Sequence, residues 1–467
     1  MSNSHFLDVF FNPRNVAIVG ASRDPLSINY RLVDNLVRLG FKGKIFPVNP
    51  SADEIVGIKA YASLEDIGDE IDLVISAVPA RMTIGIMKAC VGKQVKGVVV
   101  VSGGFAESGE LGTKDQDGIA RLLKQSGIRA VGPNALSPIN SSNNLLISFM
   151  PTERIIPGSV SLIFQSGFYD PRLNWIFGDF HLGINKLIDL GNKMDINEVD
   201  ALDYLAADES TKAIAMHIET VKGDGKRFFQ LLKETLKIKP VVVFKSGRTA
   251  AGAKAAASHT GSIARESDVV FDALLRQCGA IRVQTVEEFF DFAKAFGFLD
   301  PPRGNRMVVA SLSGGEGVIA IDASQQHGFS VAKPGHNTYA KAKAVFPPWE
   351  IPLNPFDLGV CSQFHGWDGV YDVFFESVIA DENVDCLVVG LPPLGGMLKP
   401  EEACKPFLLG KSIGKPVAVW SLAMGQSLEA FIEALELNGV PVYPSAERAI
   451  KALSAVYKYN LWRRSVG

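Results

Sequence analysis

Val16-Ala17-Ile18-Val19-Gly20-Ala21-Ser22 sets the fold class of the chain. The first four residues are apolar, and all but Ala17 are β-branched. A short continuous apolar run suits a strand covered on both faces, as in parallel sheets. Gly20-Ala21-Ser22 then turns the chain, and Tyr30 to Leu39 reads as the helix that follows. The same alternation recurs down the first section. Strands are predicted at Lys44 to Val48, before Asn49-Pro50, and at Leu73 to Val78, before Pro79-Ala80. Two more are predicted at Val98 to Val101, running into Ser102-Gly103-Gly104, and at Ala130-Val131, before Gly132-Pro133-Asn134. Strands alternating with helices of about ten residues imply an α/β fold with a doubly wound parallel sheet. Each strand ends in small or turn-forming residues, which leaves room for a cleft along one edge of the sheet.

The pattern returns from Gly158 onward. Strands are predicted at Val160 to Phe164, Ile184 to Leu190, Ala213 to Ile218 and Pro240 to Lys245. Gln165-Ser166-Gly167 turns out of the first, and a helix is expected after Pro171, since proline is accepted at a first helical position. A helix over Glu266 to Gln277, a strand over Ile281 to Val283 and a closing helix over Val286 to Phe296 follow. Leu299-Asp300-Pro301-Pro302-Arg303-Gly304 reads as a linker. Beyond it lie predicted strands at Met307 to Leu312, Cys386 to Gly390 and Pro416 to Trp420. The second and third sections thus share one flavodoxin-like plan. The expected domains are residues 1–140, 150–300 and 305–467.

Bulk properties narrow the function. The chain has 467 residues, 47% of them hydrophobic and 21% charged, which is ordinary globular composition. A net charge of −3 gives no electrostatic reason for a nucleic acid or an anionic membrane as partner. No apolar run reaches transmembrane length, and Met1-Ser2-Asn3-Ser4-His5 is not a signal peptide. Cys90, Cys278, Cys361, Cys386 and Cys404 have no paired spacing. They argue against a disulfide framework or a zinc site and favour a reducing, cytoplasmic setting.

Several turns carry candidate chemistry. His259 stands in Lys254-Ala255-Ala256-Ala257-Ser258-His259-Thr260-Gly261-Ser262, read as a small-residue loop after the strand ending at Lys245. Such an imidazole is reachable, as a nucleophile must be, although an exposed, hydrogen-bonded histidine fits the same residues. Lys245-Ser246-Gly247-Arg248-Thr249, just upstream, could hold an anion. Gln165-Ser166-Gly167 supplies N–H and O–H donors at a strand-to-helix turn. A plain tight turn accounts for it equally well. Asp170 behind it suits helix capping. Glu219 ends an apolar strand, where its carboxylate could bond an imidazole or simply be solvated. Gly20-Ala21-Ser22 lets backbone approach a ligand, yet the chain has no G-x-G-x-x-G, so a nicotinamide-dependent oxidoreductase is disfavoured. Ser313-Gly314-Gly315-Glu316-Gly317 lacks the Lys-Ser/Thr of a P-loop.

Taken together these stretches resemble the ADP-forming (nucleoside-diphosphate-forming) acyl-CoA synthetases, relatives of succinyl-CoA synthetase. The most specific pieces are Lys245-Ser246-Gly247-Arg248-Thr249, Ser258-His259-Thr260-Gly261-Ser262, and Leu190-Gly191-Asn192-Lys193 with Asp195. Asn12-Pro13, Gly132-Pro133-Asn134, Asn305-Arg306 and Asn354-Pro355-Phe356-Asp357 add to them. The resemblance implies a Rossmann-like CoA-binding domain followed by two flavodoxin-like domains of the succinyl-CoA synthetase kind. CoA would bind through Gly20, Ala21, Ser22, Asn49, Pro50, Val78, Pro79, Ser102, Gly103 and Asn134. Gln165, Ser166, Gly167 and Ser258 would hold phosphate. His259 would carry the phosphoryl group as phosphohistidine, and Glu219 would orient it. No metal site is expected in this chain.

The family's nucleotide chemistry belongs to an ATP-grasp domain, for which 467 residues leave no room. The chain therefore resembles a separate α subunit. An ATP-grasp β subunit bringing ADP or ATP with Mg²⁺ is the expected partner, alongside the acyl-CoA or carboxylic acid substrate, in a hetero-oligomer. Some positions depart from the family pattern. Phe168-Tyr169-Asp170-Pro171 replaces small residues after Gly167, and Ala135 and Ser137 follow Asn134 where Cys and Gly are usual. Pro25-Leu26-Ser27 replaces a Gly-Lys, and Glu316 stands where Pro is usual. A CoA- or acyl-CoA-binding regulatory protein, catalytically impaired on the same scaffold, is the alternative.

Overall fold

The computed structural model describes residues 5–260, 268–391, 400–421 and 426–466, except the side chains at 257–260, 400–403 and 426–427. The chain divides into two compact units, Met1–Gln284 and Thr285–Gly467.

The first unit holds two major sheets. The first runs in the order Lys44–Val48, Asn15–Val19, Leu73–Ser76, Gly97–Val100, Arg129–Val131, with every pair parallel. Its strands are short apolar runs because both faces are covered. Ala17, Val19, Val74, Val98 and Val100 pack in one core cluster with Met87 and Cys90 of the helix Ala80–Gly92 and Ile119 and Leu123 of the helix Glu110–Ser126. Gly127 ends the latter helix in the left-handed region, at φ 74°, where glycine carries no steric penalty.

The second sheet runs Ile281–Val283, Val241–Lys245, Ala213–Ile218, Pro157–Phe164, Ile184–Asp189, Ile139–Asn140, Leu145–Leu146. The first five strands are parallel, and the last two form an antiparallel hairpin on the Ile184–Asp189 strand. That hairpin straddles the expected boundary at residue 140, where no strand pair was predicted. Ile139, Leu145 and Leu146 are fully buried in it.

A helix was expected after Pro171. A six-residue 3-10 helix, Gly167–Arg172, is present instead, followed by a π-helical turn at Trp175–Asp179. The cause lies in its side chains. Tyr169 is fully buried and its hydroxyl donates to the Leu136 carbonyl, while Asp170 turns inward.

The second unit has a parallel sheet in the order Ser330–Val331, Arg306–Ser311, Cys386–Gly390, Val417–Trp420, Val442–Tyr443, with Phe356–Asp357 also paired to Arg306–Ser311. The helix Val286–Phe298, expected to close the second section, belongs to this unit. Phe289 through Phe296 are all buried, Asp291 and Lys294 among them. Arg448 grips Asp291 through Nε and Nη2 at 2.6 and 2.7 Å, and Lys294 pairs with buried Glu436. Such a helix needs covering all round, and these partners supply it.

Candidate active site

In the second sheet, Phe164, His217 and Phe244 lie in register across three neighbouring parallel strands. Gln165-Ser166, Ile218-Glu219 and Lys245-Ser246 therefore leave the sheet side by side at its C-terminal edge. The Gln165 N–H donates to the His217 carbonyl at 3.1 Å, and the Ser246 N–H to the Ile218 carbonyl at 3.0 Å. Open parallel sheets bind ligands at this edge.

Gln165 holds the edge together. Its Oε1 accepts from the Glu219 N–H at 2.8 Å, the Thr220 N–H at 3.0 Å and Lys193 Nζ at 2.9 Å. Its Nε2 donates to Thr220 Oγ1 at 3.3 Å. Gln165 was expected to hold phosphate. Its side chain fixes the turn behind Glu219. Lys193 also donates to Glu198 Oε2 at 2.9 Å and to the Thr220 carbonyl at 2.5 Å, with both charged side chains buried. Lys245 Nζ donates to the carbonyls of Glu219 at 2.5 Å and Ser246 at 2.8 Å. The edge thus carries two buried cations. Glu219 itself is buried.

Ser166 and Gly167 are half-buried at the start of the 3-10 helix. A Cβ on Gly167 would lie 3.9 Å from Asp189 Oδ2. Asp189 ends the strand Ile184–Asp189. Its Oδ2 accepts from the Leu136 N–H at 2.9 Å and its Oδ1 from the Gly191 N–H at 3.2 Å. Burial pushes its carboxyl up to about 7, against the pull of those two N–H groups. Asp170 caps no helix, contrary to expectation. Its Oδ1 accepts from Ser148 Oγ at 2.5 Å, and burial raises it to about 6. A carboxylate that caps must face the orphan N–H groups of a helix start, and the inward turn of this segment prevents that.

His259 lies in the last turn of a helix, Ala250–Thr260, and not in a loop. Alanine is the strongest helix former, and the run Ala250-Ala251-Gly252-Ala253-Lys254-Ala255-Ala256-Ala257 is dominated by it. Thr249 starts the helix by accepting the Gly252 N–H at 3.0 Å. The side chains of Ser258 and His259, together with Gly261 and Ser262, fall outside the described residues.

The residues expected to meet CoA all sit at the C-terminal edge of the first sheet. Gly20 has φ +85°, and a Cβ there would stand 2.9 Å from the Ala77 carbonyl oxygen. Asn29 Nδ2 bridges the Gly20 and Ala77 carbonyls at 2.9 and 3.0 Å, fixing Gly20-Ala21-Ser22 against Val78-Pro79. Asn49, next to Pro50, donates to the Ala21 carbonyl at 2.8 Å. Ser102, next to Gly103, donates to the Val78 carbonyl at 2.5 Å and accepts the Asn134 N–H on its own carbonyl at 3.0 Å. The ten residues thus form one connected rim. A separate cavity of about 450 Å³, lined by Asp8, Arg14, Asp72, Lys96 and Arg129 among others, opens where the strands begin. Asp72 already engages Lys96 at 2.5 Å and Arg14 at 3.5 Å there.

His217 belongs to the strand Ala213–Ile218. It is buried, with Nε2 2.6 Å from Ser246 Oγ. A polar residue inside the apolar run Ala213-Ile214-Ala215-Met216-His217-Ile218 was the one available signal. Among the described residues, no three His, Cys, Asp or Glu side chains converge as a metal site would require. No helix among them is long and apolar enough to cross a membrane.

The first unit thus carries a small-residue rim at the edge of one sheet and two buried lysines at the edge of the other. Residues 14–139 match the CoA binding domain family, and residues 157–296 match the succinyl-CoA ligase like flavodoxin domain family. The α subunit of acetate–CoA ligase [ADP-forming] I from Pyrococcus furiosus is 36% identical over 98% of both chains. Acetate–CoA ligase [ADP-forming] II from Archaeoglobus fulgidus is 36% identical over 97% of this chain, which spans 66% of that longer protein. The solved structure of Ca. Korarchaeum cryptofilum dinucleotide forming acetyl-coenzyme A synthetase 1, in complex with phosphate and ADP, superposes with a TM-score of 0.85 at 31% identity, covering 98% of each chain. The chain belongs to the ADP-forming acyl-CoA ligases, which are acid–thiol ligases, and matches their α-subunit type along nearly its whole length.

Proposed function

We propose that this chain is the α subunit of an ADP-forming acyl-CoA synthetase. It interconverts acyl-CoA, ADP and phosphate with a carboxylic acid, CoA and ATP. The observation that carries this is the placement of Ser166-Gly167, Glu219 and Lys245-Ser246 on one sheet edge, a few residues before the helix that bears His259. CoA lies along the rim of Gly20, Ala21, Ser22, Asn49, Pro50, Val78, Pro79, Ser102, Gly103 and Asn134. Phosphate sits at Ser166, Gly167 and Ser258, with Gln165 shaping its seat.

A phosphate oxygen attacks the thioester carbonyl carbon. The C–S bond breaks, and CoA leaves as thiolate and takes up a proton. A ring nitrogen of His259 then attacks the phosphorus of the acyl phosphate, and the P–O bond to the carboxylate breaks. An oxygen of ADP finally attacks the phosphohistidine phosphorus, breaking the N–P bond and making ATP. Glu219 orients the ring and offsets its developing positive charge. The buried cations Lys193 and Lys245 bias the edge toward anions.

ADP and ATP with Mg²⁺ are held by an ATP-grasp β subunit. The fit of the acid is shaped by Phe168, half-buried directly after Gly167, while Tyr169 anchors the turn from within the core. Five cysteines without a disulfide among the described residues suit a cytoplasmic enzyme. The regulatory alternative draws no support from relatives named as ligases.

The decisive test is phosphorylation of the complex purified with its partner. Incubation with Mg²⁺ and labelled ATP should give acid-labile label on this chain, and His259→Ala should abolish it. A folded complex that takes no label would reject the proposal.

A further inference from the structure

His217 sits 3% exposed at the end of its strand. Its ring packs among Phe164, Phe168 and Phe244, with centroids 6.1, 4.7 and 5.4 Å away. Nε2 lies 2.6 Å from Ser246 Oγ, and Nδ1 is buried with no hydrogen-bond partner. A neutral imidazole carries one proton. Placing it on Nδ1 would bury a donor among three phenylalanines, whereas placing it on Nε2 buries only a lone pair. The second arrangement costs less. Burial, with Lys245 and Lys193 close by, holds the ring's pKa down to about 3, so it stays neutral. Nε2–H then donates to Ser246 Oγ.

That bond has a consequence for the hydroxyl. With one lone pair of Ser246 Oγ facing His217, its own hydrogen must point elsewhere. Ser246 is half-buried, on the edge beside Glu219 and ahead of Gly247. We propose that His217 is a positioning residue that locks the Ser246 hydroxyl as a donor to a phosphate oxygen. The inference rests on the proposed phosphate seat at this edge. A donor held in place before the ligand arrives costs no reorganisation when charge develops.

The test has two arms. The first is nitrogen-detected NMR of the full chain with ¹⁵N-labelled histidine, the His217 signals being assigned by their loss in His217→Gln. A neutral ring protonated on Nε2, unchanged from pH 5 to 8, is expected. An Nδ1–H tautomer, or an imidazolium at pH 6, overturns the proposal. The second arm is thioester phosphorolysis by the complex with its partner. His217→Leu should raise the KM for inorganic phosphate about tenfold, the loss of one charge-assisted bond. His217→Gln, which keeps a donor near Nε2, should restore most of it. In a Ser246→Ala background His217→Leu should add nothing. Normal phosphohistidine formation with an unchanged phosphate KM in His217→Leu sinks this inference alone. A wild type that forms no phosphohistidine sinks the functional proposal and this one with it.

Discussion

Lys193 Nζ donates to the side-chain oxygen of Gln165 at 2.9 Å, so a cation on the loop after one strand holds the first residue beyond its neighbour. The same ammonium lies 2.9 Å from Glu198 Oε2, with the two side chains 2% and 0% exposed. The candidate edge is therefore rigid because of charges that never meet the substrate.

Removing one member of this pair strands the other. Lys193→Met leaves Glu198 buried without its cation and should cost about 3–5 kcal/mol. Lys193→Met combined with Glu198→Leu should recover much of that. Urea unfolding of the two variants measures it, and a single-variant loss under about 1 kcal/mol would contradict the network's role.

Gly191 admits no side chain. Its φ is +52°, and a Cβ would fall 2.2 Å from the Pro133 carbonyl oxygen. Gly191→Ala must move backbone on both sides, at a cost of about 2–4 kcal/mol. Faster proteolysis around residues 133–136 should accompany the lower melting temperature.

Gly20→Ala tests the CoA rim. The new Cβ meets the Ala77 carbonyl at 2.9 Å in a backbone region that disfavours it. CoA affinity by calorimetry should fall roughly tenfold, with about 1–2 kcal/mol lost in stability. Unchanged CoA binding would place the ligand away from this turn.

Two buried groups titrate with opposite sign. His217 is held at about 3, below its unfolded value of about 6.5. The unfolded chain takes its proton first, so stability falls as pH drops below 6.5, by about 1.4 kcal/mol per unit. Asp189 is held up to about 7, above its unfolded value of about 3.9. Here the native chain binds the proton first, so stability falls as pH rises from about 4 to 7. The two slopes oppose each other between about pH 4 and 6.5. Urea unfolding at pH 5 and 6.5 separates them. Relative to the wild type, His217→Gln should gain stability on acidification and Asp189→Asn should lose it.

The parallel strands were legible because burial on both faces writes them as apolar runs. Ala213–Ile218, Lys44–Val48 and Cys386–Gly390 lie where the sequence pattern places them. The Ile139–Asn140 and Leu145–Leu146 hairpin was not legible, since two-residue strands show no period. The helix at Ala250–Thr260 was mistaken for a loop because small residues suggest mobility, although alanine favours helix. In the site, Ser166, Gly167 and Glu219 were visible at strand ends. Asp189 and His217 were not, because their partners, Leu136 and Ser246, lie 53 and 29 residues away in sequence. A titratable residue inside an apolar run was the trace that each left.

The hairpin at Ile139–Leu146 bears on how the molecule can be taken apart. It straddles the expected boundary at residue 140 and caps the outer margin of the second sheet through Lys186 and Leu187. A cut near residue 140 would split the hairpin, remove the Ile139–Asn140 strand and bare the Ile184–Asp189 backbone to other chains. An excised second module should aggregate unless this ribbon travels with it, so the natural piece for dissection is Met1–Gln284 taken whole.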